Sequence, residues 1–177
     1  MRDGHDQMAR QTGDSSGGRE AAKRLRVSDA IQEPAPPVCV VTRDQSVADV
    51  AECLGENPGI NTASVVDANG RLLGVIPMRL LLDDLFLTIA PEEFLADLGD
   101  VEGLEEFGRM TRAKTAGVLM EPPAFVTYED SARHAFGLMH ERKLEGLPIV
   151  DSGMKVVGYL DRLHLVRLWL KFYRING

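Results

Sequence analysis

Two arginines lie in similar places, each just past the end of a short apolar run. Arg79 follows the run at 72–77, and Arg162 follows the run at 156–160. Each lies near the start of an expected helix, where unpaired backbone N–H groups and the helix dipole favour an anion such as a phosphate. The alternative is a solvated arginine, or one paired with the acidic segment between the two halves of the chain. The pattern therefore predicts two candidate anion sites.

Sequence patterns typical of enzymes are missing. There is no Gly-rich phosphate loop, no nucleophile elbow and no Cys/His pairing with supporting context. His134 and His140 are six residues apart on one expected helix, so they do not share a face and are poorly placed to ligate one metal ion. We therefore interpret the chain as a non-enzyme with no metal centre and no covalently bound cofactor.

Cys39 falls on an expected strand and Cys53 on an expected helix. Their spacing is not that of a metal site. They can form a disulfide in an oxidising compartment, but we expect buried free thiols, because disulfides are rare in cytosolic proteins.

The elements that position the two arginines occur twice. Segments 62–80, TASVVDANGRLLGVIPMRL, and 144–164, LEGLPIVDSGMKVVGYLDRLH, each contain an apolar strand, a turn, a second strand and the start of a helix. Gly74 in the first copy matches Gly158 in the second, an offset of 84 residues. Because one such unit seldom buries its own apolar face, the two copies are expected to pack together.

A strand and a helix precede each of these segments, one residue out of that offset. Ser46 and Ser131 (or Asp130) are placed to cap the two helices. The helix residues expected to face the core are spaced i, i+3, i+4, i+7. They are Val47, Val50, Ala51 and Leu54 in the first copy and Ala132, Ala135, Phe136 and Met139 in the second. The predicted fold is α+β, a tandem β-α-β-β-α repeat with pseudo-twofold symmetry and small sheets packed between helices.

The 177 residues divide into four predicted parts. Residues 1–24 form a polar, Gly/Ser-rich tail expected to be disordered. Residues 25–86 are the first repeat, 87–113 an acidic helical insertion, and 114–177 the second repeat. The tail lacks the apolar segment of a secretory signal, so a cytoplasmic location is expected. A net charge of −7 argues against general binding to nucleic acid.

The insertion at 87–113 leaves an alternative function open. Hard cations bind clustered carboxylates, so this strongly acidic segment can act as a divalent-cation sensor. It lacks the ligand order of an EF-hand loop, however, and acids on exposed helix faces are usually just solvated.

The C-terminal helix, predicted from Arg162 to about Tyr173, combines large apolar residues with one narrow basic stripe. The stripe consists of His164, Arg167, Lys171 and Arg174. A helix this apolar over most of its girth must be buried on more than one side, which predicts a homodimer interface. Adsorption to a membrane surface is the alternative, which we do not expect. The helix is too short and too charged to span a bilayer.

The layout resembles the cystathionine-β-synthase (CBS) domain family in its usual tandem pair. The Pro-flanked first strand, the Ser-capped helix and the two segments quoted above carry the resemblance. It implies a non-catalytic regulatory module that binds an adenine nucleotide (AMP, ADP or ATP) or S-adenosylmethionine in the cleft between the repeats. Such a module passes the signal to a partner protein, here unknown, and two tandem modules commonly pair into a flat dimer.

The resemblance also assigns site residues. In the family, a Gly-φ-φ-Thr-x-x-Asp segment (φ apolar) commonly serves the ribose, and backbone around a Leu-Pro-φ-φ strand commonly faces the adenine. The residues so assigned here are Gly74 and Arg79 in the first copy, and Thr127, Leu147, Pro148, Gly158, Asp161, Arg162 and His164 in the second.

Both ribose segments depart from the family pattern. The second copy has Asp161 at the Thr position and His164 at the Asp position, whereas the first has Pro77 and Leu80. An apolar side chain cannot pair with sugar hydroxyls, so the first site has lost both polar groups. In the second, Asp161 either accepts from a ribose hydroxyl or simply caps the last helix. If both sites have decayed, the chain is a dimerising interaction module instead of a sensor.

Overall fold

The computed structural model describes residues 25–31, 37–89 and 114–176. The predicted tail at 1–24 and the acidic insertion beyond residue 89 lie outside these residues, as does any cation site in the insertion.

Each repeat forms a small sheet flanked by helices, which confirms the predicted α+β fold. The elements of the first repeat are α1 Val27–Ala30, β1 Val40–Thr42, α2 Val47–Glu56, β2 Thr62–Val66, β3 Leu72–Pro77 and α3 Met78–Asp83, which a π-helical segment, Asp84–Ile89, continues. Those of the second are α4 Ala116–Leu119, α5 Ala132–Arg142, β4 Gly146–Val150, β5 Val156–Asp161 and α6 Arg162–Asn176.

The two sheets share one pairing scheme but differ in extent. In the first repeat, β1 runs parallel to β2, and β2 pairs antiparallel with β3. In the second, β4 and β5 form the antiparallel hairpin. The strand predicted at 124–126 is reduced to a single parallel bridge between Val126 and Ile149.

Both predicted serine caps are present. The Ser46 hydroxyl accepts a hydrogen bond from Asp49 N, and the Ser131 hydroxyl accepts one from His134 N. Each satisfies a backbone donor that the first helical turn leaves unpaired. On the core face predicted for α2, Val47, Val50 and Leu54 are buried and Ala51 is partly buried. The prediction for α5 is wrong at Phe136, which is 55% exposed.

The hairpin turns of the two repeats are built alike. In the first, Asp67 Oδ1 accepts hydrogen bonds from Asn69 N and Arg71 N, at 2.8 and 2.9 Å. Donation by the Arg71 backbone, which favours the charged carboxylate, lowers the pKa of Asp67 below its usual value. Asp151 accepts the same two bonds in the second repeat.

Equivalent residues of the two repeats meet at the pseudo-twofold axis. The Thr62 hydroxyl donates to Gly146 O at 3.2 Å, and these residues are 84 apart, the offset of the repeat. Arg71 and Lys155, which are also equivalent, form an isolated antiparallel bridge. Pairs of this kind can touch only where a twofold axis passes between them, so the predicted pseudo-symmetry is present.

The short lead-in helices are exchanged between the repeats. Helix α1, from the first repeat, contacts α5 and α6 of the second, and α4, from the second, contacts α2, β1 and β3 of the first. Val27 of α1 is therefore buried in the core of the second repeat, and Ala116 of α4 in the core of the first. Each repeat completes its core only with a helix from the other.

The two cysteines are joined, which corrects the expectation of free thiols. Cys39 and Cys53 form a disulfide, with their Cα atoms 5.7 Å apart. Cys39, just before β1, and Cys53, on α2, lie in the same apolar cluster, which places the two side chains within bonding distance.

An ion pair lies at the base of the insertion. The Lys114 ammonium binds Asp84 Oδ1, and the side chain of Asp84 is 4% exposed. Lys114 also accepts a backbone hydrogen bond from Val47, at the start of α2. The two ends of the connection between the repeats are therefore held together against the first repeat.

The turn glycine of the first repeat offers a direct test of backbone strain. Gly70 has φ +77°, and its missing Cβ would meet open space. We expect Gly70→Ala to lower the free energy of unfolding by about 1 kcal/mol, because an L side chain is disfavoured at this φ. Gly137, in the middle of α5, is also in open space but has helical backbone, so Gly137→Ala should raise the free energy of unfolding by up to about 1 kcal/mol. Urea unfolding measures both, and equal effects would contradict the assignment.

Candidate functional site

The β4–β5 hairpin gathers most of the site residues predicted in the second repeat. Its register pairs Gly146 with Asp161, Leu147 with Leu160, and Ile149 with Gly158. Thr127 directly follows the bridge to this hairpin, where Val126 N donates to Pro148 O at 3.1 Å. Thr127, Leu147, Pro148, Gly158 and Asp161 therefore lie on one continuous stretch of paired backbone, and Arg162 and His164 extend it into α6.

Several of these residues could meet a ligand only through their backbone, because their side chains are buried or already bonded. Leu147 is fully buried in the core of the second repeat, and Pro148 and Gly158 are buried beside it. The Thr127 hydroxyl donates to Asp130 Oδ2 at 2.9 Å, and Thr127 N donates to the same oxygen. These contacts close the turn before α5, so the side chain of Thr127 positions the loop.

Asp161 caps α6. Its Oδ1 accepts a hydrogen bond from His164 N at 2.7 Å, and Asp161 N donates to His164 Nδ1 at 3.3 Å. This reciprocal arrangement resembles a capping box with histidine in place of glutamate. His164 is therefore turned back toward the strand end and is 24% exposed, not on a fully solvated face. The two polar residues that replace the family pattern are held together.

Arg162 lies beside the cap and is positioned by backbone. Its guanidinium donates to Leu144 O at 3.1 Å and pairs with Glu145 Oε1 at 3.2 Å. Among the described residues, its carboxylate partner is thus a neighbour in the loop before β4. Both side chains of this pair are about half exposed, so the pair contributes little to stability.

The corresponding residues of the first repeat face a different environment. Arg79 binds Glu121 Oε1 at 2.8 Å, and Glu121 pairs through its backbone with Val75. A Cβ on Gly74 would lie 2.6 Å from Glu121 O and 2.8 Å from Met120 Sδ. Gly74 and Arg79 therefore hold the connection that follows α4. They do not join the candidate site residues of the second repeat.

Two negative findings apply to the described part of the chain. Among residues 25–31, 37–89 and 114–176, no group of three or more His, Cys, Asp or Glu side chains is arranged to hold a metal ion. No helix in these same ranges is long and apolar enough to cross a membrane.

Comparison with known proteins matches the repeats to one family. The CBS domain profile matches twice, at residues 27–86 and 116–171, which bracket the tandem repeat described above. The chain belongs to the CBS domain family. The resemblance stated from the sequence is confirmed, and the two repeats form a CBS pair.

Individual relatives extend this result. The chain is 31% identical over 147 residues to the chloroplastic CBS domain-containing protein CBSX2 of Arabidopsis thaliana, and 29% identical over 148 residues to an uncharacterized 33.4 kDa protein in a ribosomal RNA operon of Thermofilum pendens. It spans 60% and 46% of the lengths of these two curated relatives.

Solved structures agree with this fold. The crystal structure of CBSX2 is 30% identical, with a TM-score of 0.63, and the match covers 85% of this chain and 97% of that one. A second structure, of CBSX2 in complex with AMP, matches with a TM-score of 0.60 and covers 83% and 97%. A CBS domain-containing protein of Thermotoga maritima, 23% identical, has a TM-score of 0.64 with coverage of 84% and 96%.

Tyr159 connects the two repeats of this CBS pair and was missed at the level of sequence. It lies on β5 but is buried in the core of the first repeat, where its Oη accepts a hydrogen bond from Asn61 N at 3.1 Å. A Cβ on Gly146 would overlap the Tyr159 hydroxyl, so the glycine makes room for it. The repeat marks this position as unusual, because Tyr159 is equivalent to Val75, a much smaller residue, but it does not show which core the ring enters.

A groove lies between α5 and α6 of the CBS pair, with a volume of about 320 Å³. Its walls are Phe136, Leu165, Val166 and Trp169, and Arg162 closes one end. The groove is thus almost entirely apolar and adjoins Arg162, one of the candidate site residues.

The buried tyrosine gives a pH-dependent test. Burial raises the pKa of Tyr159 above its usual value near 10, because it disfavours the phenolate. The native state then keeps a proton that the unfolded state releases, so this contribution to stability is complete below about pH 10 and is lost as pH rises through the folded pKa. Tyr159→Phe should lower the free energy of unfolding by about 1 kcal/mol at neutral pH, because Asn61 N loses its acceptor. Between neutral pH and pH values above about 10, the free energy of unfolding should then fall less in Tyr159→Phe than in wild type.

Urea unfolding at neutral and alkaline pH makes this comparison. Tyr173→Phe is the matched control, because Tyr173 is 60% exposed and should change neither quantity. An alkaline loss of stability that is the same in wild type and Tyr159→Phe would contradict the assignment.

Proposed function

We propose that this CBS pair is a non-catalytic regulatory module that binds an adenine nucleotide or adenosyl compound at the second-repeat surface of the inter-repeat cleft. The observation that carries the proposal is the continuous arrangement of Thr127, the β4–β5 hairpin, Asp161 and Arg162. The relative CBSX2, 30% identical over nearly its whole length in that structure, has been solved in complex with AMP. A more distant CBS pair has been solved with S-adenosylmethionine and 5′-methylthioadenosine.

Asp161 can cap α6 and bind a ribose at the same time. Capping uses Oδ1, and within the described residues Oδ2 receives no hydrogen bond. The side chain is 18% exposed, so a ligand can reach it. A carboxylate has several acceptor positions, and Oδ2 is the natural acceptor for a ribose hydroxyl. The two interpretations of Asp161 at the level of sequence are therefore compatible.

Arg162 is the group proposed to bind phosphate. Its contact with Leu144 O holds the guanidinium at the strand end. Its other partner, Glu145, is 57% exposed, and an exposed pair of this kind is worth less than about 1 kcal/mol. A phosphate offers a bidentate, charge-assisted contact in place of that carboxylate. Exchange of Glu145 for phosphate is therefore energetically accessible.

The first repeat is proposed not to bind. Pro77, at the start of α3, makes no side-chain cap, and Leu80 replaces the second polar group. Arg79 forms an ion pair with Glu121, and the backbone of Glu121 packs directly against Gly74. We infer one ligand per chain, held by the second repeat.

Signal transfer would follow from differential affinity. A ligand shifts the arrangement of two repeats only as far as it binds one arrangement better. The hairpin that carries the site also carries Tyr159, which is buried in the first repeat. A change at Asp161 or Arg162 thus has a direct route to the other repeat, and an unidentified partner would detect the result. We keep the cytoplasmic location as a prediction.

A melting-temperature screen against AMP, ADP, ATP and S-adenosylmethionine tests the function. A ligand at 100 times its Kd stabilises by about 2.7 kcal/mol, which raises Tm by about 5–10 °C in a protein of this size. Asp161→Asn keeps a capping side chain but loses the carboxylate, so it should weaken binding at least about tenfold without a large change in Tm alone. Arg162→Ala should weaken the binding of nucleotides more than the binding of 5′-methylthioadenosine, which has no phosphate.

Arg79→Ala is the matched control in the first repeat and should leave ligand binding unchanged. No Tm shift with any adenosyl compound would overturn the sensor function. Stabilisation by Mg²⁺ or Ca²⁺ without nucleotide would instead favour cation sensing by the insertion.

The second candidate function, a homodimeric interaction module, is favoured by one exposed apolar surface. Along α6 it includes Leu163, Val166, Trp169 and Tyr173, which are 51–60% exposed, and Phe136 of α5 adjoins them. Helix α1 covers only one side of α6, through contacts that bury Leu168. A second copy of this chain would cover the rest.

Sedimentation velocity tests this assembly. We expect a dimer for wild type and a monomer for Trp169→Glu, since a buried charge in an apolar interface is strongly unfavourable. Arg133→Glu, on an exposed polar part of α5, is the control and should remain dimeric. A monomeric wild-type protein would contradict the proposal, and binding of that monomer to anionic vesicles would favour the membrane alternative.

A further inference from the structure

The disulfide constrains only one of the two repeats. Cys39 and Cys53 are 14 residues apart and enclose β1 and the first turns of α2. At the equivalent positions, the second repeat has Ala124, which is buried, and Leu138, which is partly buried. The same strand–helix unit therefore folds there with ordinary apolar side chains. The covalent link is an addition to the fold and not a condition for it.

The surroundings of the two sulfur atoms suit both oxidation states. Cys39 is 1% exposed and Cys53 is partly exposed, and both lie in the apolar core of the first repeat. A free thiol packs like a small apolar side chain, so the reduced pair can stay in this core. Small-molecule thiols can reach the pair from the side of Cys53, while Cys39 remains enclosed.

We propose that Cys39 and Cys53 form a reversible redox lock on the first repeat, and this inference does not depend on ligand binding. The oxidant is a small-molecule disulfide such as glutathione disulfide. The Cys53 thiolate attacks one sulfur of that disulfide and releases one thiolate, leaving a mixed disulfide on Cys53. The Cys39 thiolate then attacks the Cys53 sulfur and releases the second thiol. Two protein thiols and one disulfide become one protein disulfide and two small thiols.

The lock acts on an element that the two repeats share. The cluster around the cysteines also contains Ala116 and Leu119 of α4 and Tyr159 of β5, all from the second half of the chain. Within the described ranges, strand β1 is at the edge of its sheet and pairs with β2 alone. Oxidation ties this edge to α2 and limits its local opening, whereas reduction leaves it held by packing and three-residue pairing. The redox state thus sets how firmly the first repeat holds α4.

Thiol counting and melting temperature test the lock in the full chain without nucleotide. Protein equilibrated with glutathione disulfide should show no reactive thiols, and protein in excess reduced glutathione should show two. Closing a loop of this length should raise Tm by about 5–10 °C in the oxidised form. Hydrogen exchange should be at least about tenfold faster in β1 and α2 after reduction, and unchanged in β4 and β5.

The control variant copies the second repeat. Cys39→Ala with Cys53→Leu should fold and should have the same Tm at every glutathione ratio. If this variant does not fold, wild type reduced by a phosphine still provides the comparison. Two reactive thiols at every glutathione ratio would overturn the proposal. A disulfide that forms without changing Tm or exchange, or that slows exchange equally in both repeats, would also overturn it.

Discussion

The structure depends on one constraint, which is that neither repeat can bury its apolar face alone. Helix α1, from the first repeat, packs in the core of the second repeat, and α4, from the second, packs in the core of the first. Thr62 then meets its equivalent, Gly146, at the pseudo-twofold axis, and Arg71 meets Lys155. Two copies of a small unit thus become one packed body, because each supplies a helix that the other lacks.

Two departures from symmetry lie at the same axis. A true twofold axis would require the same residue at equivalent positions. Here Tyr159 is equivalent to Val75, and Gly146 is equivalent to Thr62. These two differences fit each other, since the glycine leaves space for the phenol ring and Asn61 N gives its hydroxyl a partner. A large side chain and the space for it arose on one hairpin, so β5 reaches into the opposite core.

Local patterns in the sequence predicted the elements and their order well. Caps such as Ser46, turn residues such as Asp67 and the spacing of apolar residues act within a few positions, so they can be recognised in a single sequence. The exchange of α1 and α4, the disulfide and the contact between Tyr159 and Asn61 could not be predicted in this way. They depend on which repeat covers which face, and the period of the pattern is the same for either arrangement. Phe136 was misassigned for a related reason, because an apolar position on a helix can face a core or a partner.

The same competition between packing and binding explains why the two candidate sites differ. In the first repeat, Gly74 allows the connection after α4 to approach, and Arg79 fixes it through Glu121. Those contacts hold α4 in the exchanged position, so the two site residues predicted in the first repeat serve the fold. In the second repeat, the cap at Asp161 uses one carboxylate oxygen and a histidine, and the arginine beside it is paired, within the described residues, with an exposed carboxylate. Polar groups there keep unused hydrogen-bonding positions, and this asymmetry is the physical basis of the proposal that the second repeat binds a ligand and the first does not.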